Sequence, residues 1–149
     1  MFLITRDLMR EAGYEPYEVS SYAKAPVHEA RHNRKYWECA PYLGLGPAAH
    51  TYDGERRAWN EAAVRTYAAR LAAGEDPVAG EEFLDDDDRR LERLFLGLRT
   101  SRGVPREFVA DRRETVERLL ADGLAVFRGD DFVLTDEGFA VADAIAARL

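Results

Sequence analysis

Residue types able to ligate a metal, stack on a flat ligand or move a proton are gathered in one stretch. His32-Asn33-Arg34-Lys35-Tyr36-Trp37 is followed closely by Tyr42-Leu43-Gly44-Leu45-Gly46-Pro47-Ala48-Ala49-His50. Two of the three histidines and the only cysteine, Cys39, fall inside it. Histidine is the commonest side chain for ligating a transition metal or haem iron, and a neighbour such as Asn33 can fix its ring with a further hydrogen bond. On a helical turn, His32 and Tyr36 would share a face with Trp37 beside them. A planar aromatic ligand would then be ligated and stacked together. The same residues also allow a plainer reading, with Tyr36 and Trp37 as core aromatics and His32 as a structural histidine.

Gly44 to Ala49 has the outline of a G-x-G-x-x-A dinucleotide fingerprint, which requires a strand before it, a helix after it and an acid about twenty residues on. Pro47 and the flanking loop argue against that. The glycines are read instead as letting backbone approach something flat or a packed neighbour. His50 is a second candidate ligand or acid–base group. Cys39 reads as a small buried hydrophobe, with a thiolate ligand as the alternative. One cysteine excludes an internal disulfide, a thiolate zinc cage and a self-contained iron–sulfur site.

The elements that must position these residues begin with a helix carrying Ile4, Leu8 and Ala12 and ending at Gly13. From Tyr14 to Tyr22 the period changes to two, which predicts a strand with one polar face. Helix, glycine turn and strand make the second half of a β/α unit, and the expectation is that upstream sequence is missing. Val27 to Gly54 reads as loop and tight turn, Arg56 to Trp59 as a short strand or turn. A helix opening at Asn60 or Glu61 carries Val64, Tyr67, Ala68 and Leu71. Residues 75–80, with Pro77 and Gly80, read as a linker between residues 1–74 and 81–149.

Beyond the linker, Asp85 to Asp88 place four carboxylates at the positive end of a helix whose stripe is Leu91, Leu94, Phe95 and Leu98. These acids read as a cap and a solvated face. A short helix from Pro105, a helix over Thr115 to Ala121, a hairpin of Leu124–Phe127 with Phe132–Thr135, and a last helix capped by Thr135 or Asp136 follow. That is a winged-helix order, which in other proteins reads DNA. Here its third helix mixes Arg112, Arg113 and Arg118 with Asp111, Glu114 and Glu117.

The chain of 149 residues has 46% hydrophobic and 33% charged residues and a formal net charge of -7. Those proportions are those of a folded chain, and the negative balance makes nucleic acid an unexpected partner. The N-terminus has no signal-peptide pattern, and no apolar run is long enough to span a bilayer, so a cytoplasmic location is expected.

Tyr17 to Ala23, His32 to Trp37 and Tyr42 to His50, taken in order, resemble the C-terminal part of the oxygen-independent coproporphyrinogen III oxidase family. The match is nearer to its haem-chaperone branch, which has an H-N-x-x-Y-W motif where this chain has His32 to Trp37. The family consists of radical S-adenosylmethionine proteins whose N-terminal partial β/α barrel holds a four-iron, four-sulfur cluster through a C-x-x-x-C-x-x-C run. That run is absent here, and Cys39 cannot replace it. The resemblance implies an α+β chain: 1–74 as the end of the barrel with its glycine and aromatic loop, and 81–149 as a mostly helical, winged-helix-like C-terminal domain.

The resemblance also implies roles. His32, Asn33, Tyr36 and Trp37 would contact haem or porphyrin. Tyr22 and Ala23 would lie at the S-adenosylmethionine site of the full-length protein. Gly44, Gly46 and His50 would form a loop across the open side of the barrel. One implied function is a haem chaperone that delivers haem to haemoproteins or a membrane partner. The other is the oxidase, which decarboxylates two propionates of coproporphyrinogen III to vinyl groups in porphyrin biosynthesis. An inactive winged-helix-like interaction module is a third reading. Without the cluster cysteines the chain is expected not to cleave S-adenosylmethionine alone.

Overall fold

Helix α1 (Phe2–Glu11) forms as expected in the computed structural model, which describes residues 1–149. Gly13, at φ +80°, turns the chain out of it. The helix nevertheless faces the opposite way from its apolar stripe. Ile4 and Leu8 are 63% and 59% exposed, whereas Arg6 is only 2% exposed. Arg6 is held inside because its Nε donates to Asp136 Oδ1 at 2.8 Å and its guanidinium sits 4.5 Å from the Phe139 ring centroid.

The strand expected over Tyr14 to Tyr22 is replaced by a tight antiparallel hairpin of β1 (Glu15–Pro16) and β2 (Tyr22–Ala23). Two local features turn the chain between them. The Tyr17 amide donates to the Ser21 carbonyl, and the buried Glu18 carboxylate accepts from the Ser20 amide and hydroxyl. Next come a 3-10 turn (Pro26–His28) and α2 (Arg31–Trp37).

By contacts the chain divides into two units, Met1–Glu38 with Arg90–Leu149, and Cys39–Arg89. The second unit is built on an antiparallel sheet in the order β3 (His50–Tyr52), β4 (Arg56–Asn60), β5 (Val78–Phe83), with α3 (Val64–Ala72) between β4 and β5. Two expectations are corrected here. Residues 78–80 of the expected linker are the start of β5 and pair with β4 at Asn60 and Trp59. The helix begins at Val64 and not at Asn60 or Glu61, because Asn60 ends β4 and spends its side-chain amide on the carbonyls of Gly44 and Gly46.

Helix α4 (Asp86–Gly97) follows. Asp85 Oδ1 accepts from the Asp88 amide at 2.8 Å while Asp88 Oδ2 accepts from the Asp85 amide at 3.3 Å, a reciprocal cap that gives the acidic run its purpose. Leu94 and Leu98 of the expected stripe are buried, Phe95 half-buried and Leu91 exposed.

The remainder belongs to the first unit. It runs through β6 (Val104–Pro105), a 3-10 segment (Arg106–Arg112), α5 (Arg113–Ala121), β7 (Ala125–Arg128), β8 (Asp131–Leu134), α6 (Asp136–Phe139) and α7 (Ala142–Ala146). The sheet order is β6-β8-β7, the three-stranded wing of a winged helix. Gly129, at φ +62°, takes the first central position of the hairpin turn, where a type II′ turn needs it. Thr135 Oγ1 caps α6 by accepting from the Gly138 amide. Phe132, Leu98, Val109 and Leu134 are the centre of the core, with Val116, Leu119, Phe139 and Ile145 around them.

Candidate functional site

Helix α2 separates its chemistry-bearing residues between two faces. His32 and Tyr36, one turn apart, are exposed, and their rings meet edge to face with centroids 5.1 Å apart and planes at 82°. Asn33 is exposed beside them. Trp37 is rotated by about 100° from Tyr36 and is half-buried, lining two cavities of about 340 and 660 Å³ in the first unit. The expected cluster therefore divides. His32 and Tyr36 form an open aromatic pair, and Trp37 is the side chain that packs.

The helix is anchored by charges that its own sequence does not reveal. Arg34 reaches Glu38 at 2.9 Å and Glu29 at 3.5 Å, while Arg102, from the turn before β6, reaches the same Glu38 at 2.9 Å and Glu29 at 3.6 Å. The hydrogen bond from Arg34 to Glu38 raises the Arg34 pKa above its ordinary value. The Tyr17 hydroxyl adds a contact by accepting from the Ala30 amide, just before α2. Helix, preceding turn and C-cap are thus tied to one arginine about 70 residues away.

On β2, Ala23 is buried and Tyr22 half-buried, opposite Glu15 and Pro16 respectively. Gly44, Gly46 and His50 lie in the second unit. A Cβ on Gly44 would stand 2.1 Å from the His50 carbonyl oxygen, so the packed neighbour this glycine admits is backbone. The loop is fixed by the Gly44 amide donating to Thr51 Oγ1 and the Gly46 amide to the Tyr67 hydroxyl. It leads into β3 and not into a helix, which removes the dinucleotide reading. His50 is exposed and pairs across the sheet with Trp59, with ring centroids 6.1 Å apart. The Trp59 ring in turn lies against Gly80, where a Cβ would be 2.5 Å from Cζ2.

Trp59, Arg102 and Glu29 were not singled out by sequence. The alternation of β4 could have placed Trp59 on one sheet face with His50. Nothing local marks Arg102 or Glu29. Cys39, expected to be buried, is only partly so and sits at φ +50°. No three His, Cys, Asp or Glu side chains converge as a metal-ligand set, and a cluster bound by three cysteines does not fit a chain that has one. In α5, Arg113 pairs with Glu117 and Arg118 with Glu114, so the third helix of the winged helix carries balanced charge. No helix is long and apolar enough to cross a membrane.

A winged helix with this sheet order, joined to a short helix that displays a histidine–tyrosine pair, has clear relatives. Residues 84–141 match the HemN C-terminal domain. The chain is 42% identical over 139 residues to the heme chaperone HemW of Mycobacterium tuberculosis, covering 93% of this chain and 35% of that protein. It is 33% identical over 112 residues to the heme chaperone HemW of Bacillus subtilis, covering 75% of this chain and 29% of the relative. It is 32% identical over 124 residues to the mitochondrial radical S-adenosyl methionine domain-containing protein 1 of Bos taurus, covering 83% and 24%. In fold it is similar to coproporphyrinogen III oxidase (HemN) from Escherichia coli, a radical SAM enzyme, with a TM-score of 0.65 at 14% identity over 98% of this chain and 39% of that one.

The chain belongs to the HemW/HemN-like radical S-adenosylmethionine family and contains that family's C-terminal domain. It spans about a third of the length of the M. tuberculosis and B. subtilis relatives.

Proposed function

We propose that this chain is the C-terminal, haem-handling part of a HemW-like haem chaperone. The observation that carries the reading is the exposed His32–Tyr36 pair on a helix whose other side is pinned by Trp37 and the Arg102 network. An exposed imidazole can donate a nitrogen lone pair to haem iron, and Tyr36 offers an aromatic edge beside the macrocycle. Asn33 would fix the imidazole by a hydrogen bond, and Trp37 would act by seating the helix. Because the pair is open to solvent, a haem held there stays accessible to a recipient haemoprotein, including one at a membrane. The relatives named heme chaperone HemW support the same reading.

In a longer protein an N-terminal barrel would complete the site. In the first unit the exposed Ile4 and Leu8 offer apolar surface for it to cover. Tyr22 and Ala23 would then lie at the S-adenosylmethionine site, the cluster would be held by cysteines of the barrel, and the Gly44–His50 loop would close the open side. The test is transfer. The chain loaded with one equivalent of ferric haem is mixed with an apo-haemoprotein, and the holoprotein spectrum should appear more slowly than from haem mixed with His32→Ala, where no imidazole ligates the iron. Equal rates from both would refute the reading.

A further inference from the structure

The cavity of about 340 Å³ beside α2 has the composition of a small-ligand site and is not the His32 face. Its size falls in the range of small-molecule pockets, and its walls are Trp37 on one element and Val104, Pro105 and Phe108 on others. Neither His32 nor Tyr36 lines it.

Its charges are unbalanced in one place. Glu29, Glu38, Arg34 and Arg102 satisfy one another in the network that holds α2. Arg93, exposed on α4 and also lining the cavity, has no carboxylate paired with it. Besides that network and its apolar walls, the cavity is thus lined by one arginine that forms no ion pair. Phe108 already carries the Arg90 guanidinium 5.1 Å from its ring centroid, so an aromatic ligand laid against Phe108 joins an existing cation–π contact.

We propose that this cavity binds a small, flat aromatic molecule carrying a single acidic group, with its ring system against Trp37 and Phe108 and its acid on Arg93. A guanidinium without a competing partner forms charge-assisted, two-point hydrogen bonds to a carboxylate or sulfonate, and the apolar walls exclude a strongly hydrated ligand. The site is independent of haem ligation, since it lies on the side of α2 that Trp37 occupies.

The probe is 8-anilinonaphthalene-1-sulfonate, titrated into the full chain in a Trp59→Phe background, where Trp37 is the only tryptophan and is excited selectively. The expected result is saturable one-to-one binding with energy transfer from Trp37. Arg93→Gln should weaken it by about tenfold or more, the loss of a charged hydrogen bond. The uncharged N-phenyl-1-naphthylamine should bind both proteins equally, and His32→Ala should leave both titrations unchanged. Circular dichroism of Arg93→Gln verifies its fold, which an exposed side chain without partners should not disturb. Non-saturating binding, several sites per chain, or an Arg93→Gln titration that matches the parent would overturn the proposal.

Discussion

Removing the Asp136 carboxylate tests how the first unit is held together. Asp136 accepts from Arg6 Nε at 2.8 Å and is bridged a second time by Arg10. Arg6 is the costly partner, because its side chain is 3% exposed and Nη1 already lacks a hydrogen bond while buried. Breaking a buried ion pair from one side costs about 3–5 kcal/mol. Asp136 is itself 24% exposed, which lets water replace part of the loss. For Asp136→Ala we therefore expect about 2–3 kcal/mol, or a fall in Tm of about 5–10 °C for a chain of this size.

The double variant Arg6→Met/Asp136→Ala places a flexible apolar side chain against Phe2 and Phe139 and leaves no unpaired buried charge at this site. It should recover most of the loss. The assay is urea denaturation followed by Trp37 fluorescence in a Trp59→Phe background, so that the signal reports the first unit. An Asp136→Ala variant within about 0.5 kcal/mol of the parent, or a double variant as unstable as the single one, would refute the burial argument.

Acid should act through the same carboxylate. The hydrogen bond from Arg10, together with the charges of Arg6 and Arg10, holds Asp136 below the usual carboxylate range in the folded state, and burial only partly opposes them. A depressed folded pKa gives stability that is complete above the unfolded value of about 3.9 and is lost as pH falls through the folded value. The stability of the parent should therefore fall more steeply below pH ~4 than that of Arg6→Met/Asp136→Ala, as read from urea midpoints. Gly138→Ala would bring a Cβ to 1.9 Å from the Leu124 carbonyl oxygen, and the backbone shift it forces should cost about 2 kcal/mol or more in the same assay. Asp85→Ala removes half of the reciprocal cap of α4 and should cost about 1 kcal/mol, with earlier amide exchange in the first turn of that helix.

What was legible in the sequence was local. Apolar spacing and turn chemistry gave α1, the acidic start of α4, the Gly129 hairpin and the Thr135 cap, because each depends on residues a few positions apart. The pairing of His32 with Tyr36 followed from helix geometry alone. What was hidden depends on distant partners. Nothing near Arg6 says that it is buried, since its acceptor is 130 residues away. The side of α2 that Trp37 would take was likewise undecided until Arg102 fixed the helix. Residues 78–80 looked like a linker because Pro77 and Gly80 are turn formers. Gly80 is in fact a strand residue whose missing Cβ makes room for the Trp59 ring. Glu18, in the middle of an alternating pattern, turns the chain by accepting from Ser20, where a periodic strand had been expected.

The most direct test of the account is a titration of the purified chain with ferric haem, followed by the Soret band, on the parent, His32→Ala and His50→Ala. One equivalent should bind saturably to the parent and to His50→Ala with the band position of a histidine-ligated haem. His32→Ala should lose that position while its circular dichroism is unchanged. A Soret titration of His32→Ala that superimposes on the parent would contradict the assignment of the axial ligand and, with it, the central claim.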